Sequence, residues 1–237
     1  MEQQLSLFDD FDMLNPTRPE PPKEREFVIP ERKRPPFLPG VKPEETEPAF
    51  ADYAALETAA RQCAKCPLRG GCTQVVVGQG PVRTPIMLIG EGPGQDEDLQ
   101  GIPFVGRAGQ LLNKILEAAE IPREAVLITN VVKCRPPQNR LPLPDEVRAC
   151  RSYLEQQIQL VRPKIIVCLG SLATQTVIDP KARITKARGQ WFVRDGIRIM
   201  ATFHPAALLR NPNYKRPTWE DFKMIRDAYK EILQKGE

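Results

Sequence analysis

Beyond residue 50 of this 237-residue chain, short apolar runs alternate with stretches whose apolar positions recur every three or four residues. Pro85-Ile86-Met87-Leu88-Ile89, Val126-Leu127-Ile128 and Ile165-Ile166-Val167-Cys168-Leu169-Gly170 are too short for helices and too continuously apolar for half-exposed strands. They read as strands buried on both faces. Helical spacing runs through the stretch from Ala49 to Cys63, through Leu111, Leu112, Ile115, Leu116 and Ala119, over residues 144–161, from Ser171, and from about Thr218 to Leu233. Trp191-Phe192-Val193 turns through Asp195-Gly196 into Ile197-Arg198-Ile199-Met200, a hairpin that delivers a fourth core strand. Strands alternating with helices predict an α/β fold of three layers, α/β/α, with a central, mostly parallel four-stranded sheet. Such sheets bind ligands beyond the carboxyl ends of their strands. Here those ends carry Glu91, Asn130 and His204.

The first fifty residues follow a different pattern. They hold ten of the 25 prolines, eleven acidic and seven basic residues, which leaves 27 basic and 19 acidic residues, a balance of +8, in 51–237. Pro21-Pro22, Pro35-Pro36 and Pro39-Gly40 break both helix and sheet, so residues 1–50 are expected to form a disordered tether and 51–237 the folded domain. The basic balance favours a polyanionic partner. No apolar run reaches the ~18 residues of a membrane span, and the acidic start lacks the basic region of a secretion signal. A cytoplasmic protein with no membrane partner is expected. A single histidine excludes any site that needs two.

Six cysteines in such a chain point away from disulfides. Cys63 and Cys66 form a C-x2-C pair, and Cys134 and Cys150 are placed to complete a four-thiolate site. A soft all-thiolate set suits an iron–sulfur cluster better than an ordinary zinc ribbon, although spacing alone leaves unligated structural cysteines open. Cys168 lies inside a strand and reads as a buried apolar residue, and Cys72 is ambiguous.

Gly90-Glu91-Gly92-Pro93-Gly94-Gln95-Asp96-Glu97-Asp98 resembles the family 4 uracil-DNA glycosylases, which are iron–sulfur enzymes. The likeness continues through Gly101–Gly106, Thr129–Pro137 and the segment from His204 to Arg210, in the family's order and spacing. The resemblance implies a [4Fe–4S] cluster on Cys63, Cys66, Cys134 and Cys150. It implies hydrolysis of the N-glycosidic bond of a flipped-out uracil in DNA, leaving an abasic site. By the same resemblance Phe104 stacks on the base, and Asn130 reads its N3–H and O4 edge. Gly92 lines the substrate site, and Glu97 excludes the thymine methyl group. Glu91 positions or activates water, His204 donates toward uracil O2, and Asn139 occupies a further active-site position. Leu208, Leu209 and Arg210 are the expected DNA contacts, with one leucine acting as a wedge in the base stack and the arginine on phosphate. A related subgroup traps itself on DNA through an extra histidine, and this chain has none to spare. Turnover is therefore expected, from a monomer associated with the nucleoid. The competing readings are a noncatalytic iron–sulfur module that binds nucleic acid or senses redox state on the same fold, and a zinc-stabilised interaction protein.

Gln4-Leu5-Ser6-Leu7-Phe8 resembles the pentapeptide that binds the bacterial sliding clamp, in which a leucine and a terminal Leu-Phe pair fill an apolar pocket. The resemblance implies partner contacts from Gln4, Leu5, Leu7 and Phe8, held on a tether that keeps the enzyme near replicating DNA.

Overall fold

A computed structural model describes residues 37–39 and 50–235. Five strands, β1 (Ile86–Gly90), β2 (Leu127–Asn130), β3 (Ile165–Leu169), β4 (Trp191–Arg194) and β5 (Ile197–Thr202), form one sheet in the order β2-β1-β3-β5-β4. The first four in that order are parallel, as the alternation predicts. The count differs from the expected four. The outer arm of the hairpin pairs with β5 over four residues as an antiparallel edge, half-buried along its length, and becomes a fifth strand. Asp195 and Gly196 both have positive φ, the backbone a two-residue hairpin turn requires.

Alternate side chains divide the strands between two cores. Met87, Ile89, Leu127, Ile166 and Cys168 face one layer, which contains α1 (Tyr53–Arg61), α5 (Pro144–Val161) and α6 (Ser171–Val177). Ile86, Leu88, Ile128, Val167 and Leu169 face the other, built from α4 (Arg107–Ala118), α8 (Pro205–Arg210) and α9 (Lys215–Lys235). Short helices α2 (Leu68–Gly71), α3 (Gln95–Gln100) and α7 (Ile184–Ala187) sit in the connections. No helix among the described residues is long and apolar enough to cross a membrane.

The connection from β1 leads outward to β2, and the next returns to β3 on the other side of β1. The chain therefore reverses direction between β1 and β3, where a crevice opens at their carboxyl ends. Glu91 follows β1 and Gly170 follows β3 at that point.

One part of the tether assignment is corrected. Phe37 and Leu38 are buried against the α5 side of the domain. Their N–H groups donate to the two carboxylate oxygens of buried Glu155 at 2.6 and 2.7 Å. Arg194 donates to the Phe37 carbonyl and to the last carbonyls of α6, and its guanidinium lies over the Phe37 ring. Two apolar residues flanked by prolines thus find a core and paired polar partners, which the surrounding composition conceals. Gln4, Leu5, Leu7 and Phe8 lie outside the described residues.

Candidate active site

Three strand ends converge at the crevice. Asn130 closes β2 with its side chain buried, and its Oδ1 has no hydrogen-bond partner among the described residues. A buried amide oxygen without a donor is costly, so the arrangement is suited to a donor brought by a ligand. The Phe104 ring lies beside it. A Cβ on Gly90 would collide with Asn130 Oδ1 and lie 2.7 Å from the Phe104 ring, so only glycine leaves the amide and the ring their space.

Phe104 is strained into place. Its φ of 55° is left-handed, a backbone state that disfavours a bulky residue. Two features hold it there. The Glu97 carboxylate accepts the N–H groups of Val105 and Gly106 at 3.0 and 2.9 Å, and also that of Gly94 at 3.0 Å. Gly109 on α4 permits the close approach, because a Cβ there would overlap the Phe104 carbonyl. Glu97 is thus engaged by three backbone amides and positions the loop that carries the ring. The motif supplied its identity but not this arrangement.

His204 caps α8. Its Nδ1 accepts the Ala206 N–H at 3.1 Å, which leaves the proton of the neutral ring on Nε2. Burial and then the nearby Arg210 charge push its pKa down to about 4, so the ring is neutral at pH 7. It packs against Phe104 with ring centroids 5.5 Å apart. Glu91 Oε1 accepts the Leu172 N–H at the start of α6 at 3.2 Å. Burial raises its pKa, opposed by the hydrogen bonds from Leu172 and Ser171 and by the Arg210 charge. Gly170 lies between the two groups, its Cβ direction meeting Glu91 Oε1 at 2.7 Å and His204 Cβ at 3.0 Å. A carboxylate that prefers hydrogen-bonded, half-buried surroundings thus stands near a neutral imidazole donor. Gly92 packs toward Val132, Pro136 and Pro142 at the same mouth.

Two expected residues stand apart. Asn139 is exposed on the loop beyond the mouth, its φ of 57° left-handed and its Oδ1 accepting from Arg135 Nε at 2.7 Å. It does not join the buried group. Leu208 is withdrawn from the DNA contacts, being 1% exposed within the α4–α9 core, whereas Leu209 is 43% exposed and Arg210 is also exposed. Consecutive residues of a helix point about 100° apart, enough to bury Leu208 and expose Leu209 on α8, which a linear motif does not record.

Lys133 was not singled out by the sequence. Its ammonium is buried and donates to Thr129 Oγ1 at 2.7 Å, to the Asn130 carbonyl at 2.6 Å and to Gln157 Oε1 at 2.6 Å. Gln157 Nε2 in turn donates to the Tyr53 hydroxyl and the Val77 carbonyl. A lysine in Val131-Val132-Lys133-Cys134 looks like an ordinary surface charge, and only the fold shows its acceptors.

Cys63, Cys66, Cys134 and Cys150 line one pocket together with apolar Leu68, Val75 and Val132, Tyr153 and the cationic residues Lys65, Arg69 and Lys133. Cys72 is absent from that lining, its Sγ lying against Arg69 and within hydrogen-bond reach of the Cys134 thiol, and Cys168 is buried in β3. Burial raises the thiol pKa of Cys134, and that of Cys150 to about 11. Neutral thiols are favoured there until a cation is bound. Among the described residues no three such side chains converge on one metal ion. A pocket ringed by four thiols, with cationic residues at its edge to offset the negative charge of an all-thiolate site, fits a multinuclear iron–sulfur cluster better than a single ion.

The chain matches the Uracil DNA glycosylase superfamily over residues 77–223. It is 46% identical to the type-4 uracil-DNA glycosylase of Thermotoga maritima over 176 residues, 72% of this chain and 91% of that protein. Identity to the type-4 enzyme of Sulfurisphaera tokodaii is 45%, covering 70% of this chain and 79% of the relative. The type-5 uracil-DNA glycosylase of Thermus thermophilus is 30% identical, over 68% of this chain and 78% of its own length.

Proposed function

This chain belongs to the uracil DNA glycosylase superfamily, and from that premise we propose how its pocket removes uracil from DNA. The observation that carries the reading is the buried, partnerless Oδ1 of Asn130 beside the Phe104 ring. Uracil offers an N3–H donor to that oxygen and an O4 acceptor to the amide nitrogen. Cytosine presents the reverse pattern and leaves buried groups unpaired, a discrimination of roughly 10⁴ or more.

The base enters by flipping out of the stack, and Phe104 supplies the face on which it lies. Cleavage sends the bonding electrons of the glycosidic bond into the uracil ring, and negative charge gathers at O2. The neutral His204 ring, with Nδ1 occupied by the Ala206 N–H, presents Nε2–H to that oxygen. Losing one such donor typically slows chemistry by about 10²–10³. Glu91 holds the attacking water, accepts its proton and faces the developing positive charge on the sugar. Leu209 is the wedge, and Arg210 meets phosphate at the rim.

Cys63, Cys66, Cys134 and Cys150 would hold a [4Fe–4S] cluster, which when bound cross-links the segment after α1 to the segment after β2 and to α5. The resemblance of Gln4–Phe8 to a clamp-binding pentapeptide supports a second role for the N-terminus, delivery to the sliding clamp of replicating DNA.

The test of the activity is release of free uracil by the purified chain from an oligonucleotide with one dU. Uracil appears, the strand stays intact until treated with alkali, and the same oligonucleotide with dC yields no base. Absence of uracil under these conditions would reject the reading.

A further inference from the structure

Behind Leu209 the protein surface opens into a cleft of about 320 Å³ between α4, α8 and the start of α9. Arg107, Gln110 and Lys114 line one wall, at positions i, i+3 and i+7 of α4 and therefore on one face of that helix. Lys215 and Pro212 form the opposite wall, buried Leu208 and Leu111 the floor, and exposed Leu209 the rim. Among the described residues three cations line the cleft and no carboxylate does. Among the described residues none of the three takes part in an ion pair, whereas cations on the far end of α9, such as Lys230 and Lys235, are paired with Glu120 and Glu231. Three positive charges without a carboxylate partner thus line the cleft beside exposed Leu209.

We propose that this cleft seats backbone phosphates of the DNA strand leading away from the flipped nucleotide, with Leu209 at its mouth marking where the stack is opened. The proposal rests on the glycosylase reading for its choice of DNA as the occupant. Charge complementarity and continuity with the Leu209–Arg210 rim select a phosphodiester backbone. The apolar floor suits the sugar faces between phosphates. Gln110 is placed to donate to a phosphate oxygen without carrying charge.

The test is the salt dependence of binding to undamaged duplex DNA, which requires no uracil chemistry. Each phosphate contact contributes about 0.9 to the slope of log K against log salt. The variant Arg107→Ala/Lys114→Ala/Lys215→Ala is compared with Lys181→Ala/Arg183→Ala/Lys186→Ala, which removes the same charge from the surface around α7. The cleft variant is expected to lose about 2–3 of the slope, with the affinity at moderate salt falling at least tenfold, while the control variant keeps the wild-type slope. Lys114→Arg, which keeps the charge on an exposed helical position, is expected to keep the slope as well. Equal losses in both triple variants would reduce the effect to net charge and overturn the proposal. So would an unchanged slope in the cleft variant. Failure of the glycosylase reading is visible separately, as absence of uracil release by the wild-type chain.

Discussion

The ammonium of Lys133 donates to the backbone carbonyl of Asn130 at 2.6 Å, joining the residue whose buried amide closes β2 to one adjacent to Cys134. The same ammonium bonds Thr129 within β2 and Gln157 on α5, so the end of β2 is held from the interior of the protein. Replacing Lys133 by Met keeps an unbranched chain but leaves three buried acceptors without this donor, at about 1–3 kcal/mol each if none finds another partner. The expected outcome is a lower melting temperature and at least a tenfold slower single-turnover uracil release, with iron content retained. An unchanged rate in Lys133→Met would show that Asn130 is positioned without it.

The acid side of the pH–rate profile is expected to report Glu91. Burial raises its pKa, so as pH falls the carboxylate takes up its proton before an ordinary glutamate, near about 4.3, would do so. In the proposed role it is the ionised form that holds the water, and activity is therefore expected to be lost on going down in pH through that raised value. His204, with its pKa pushed down to about 4, is neutral above that value and adds a change of its own only as pH falls to it. Glu91→Gln should give a slow rate that is flat across the same range. Persistence of the acid limb in that variant would assign it to another group.

Serine in place of Cys63, Cys66, Cys134 or Cys150 is expected to abolish bound iron and the absorbance near 400 nm, and to lower stability by the loss of a ligand of the native state. Cys72→Ala and Cys168→Ala are expected to retain iron, since neither lines the thiol pocket. Iron loss in either alanine variant, or retention in any of the four serine variants, would redraw the ligand set.

The folded region begins before residue 50. A chain starting at residue 40 lacks the Phe37 and Leu38 side chains and leaves the Glu155 carboxylate without two of its donors, whereas a chain starting at residue 37 keeps them. The difference between the two is expected to be about 2 kcal/mol, after part of the ~1.5–3 kcal/mol per buried side chain is offset by ordering the segment. That corresponds to a fall of roughly 4–8 °C in Tm for a domain of this size. Equal melting temperatures would mean that the docked segment contributes nothing.

The elements whose period is strong were readable from the chain alone. Residues 144–161 form α5 as its spacing predicts, and the β1, β2 and β5 ends bring Glu91, Asn130 and His204 to one crevice. What escaped depends on contacts distant in sequence or on direction around a helix. Phe37 meets Glu155 across 118 positions, and Lys133 finds Gln157 across 24. Leu208 and Leu209 are neighbours in a motif, but α8 turns one inward and one outward. Glu97 was recognised as a site residue, but its grip on the Phe104 loop is visible only once Val105 and Gly106 are folded back onto it.

The central claim is that the Asn130 amide reads the uracil edge, and Asn130→Asp tests it most directly. An ionised carboxylate keeps an acceptor for N3–H but has no donor for O4. Single-turnover release is measured from matched oligonucleotides carrying dU or dC at the same position, with wild-type chain and variant side by side. The expected result is a large fall in the uracil rate and at least a tenfold narrowing of the uracil-to-cytosine ratio. A variant with the wild-type ratio would contradict the account and move base recognition away from Asn130.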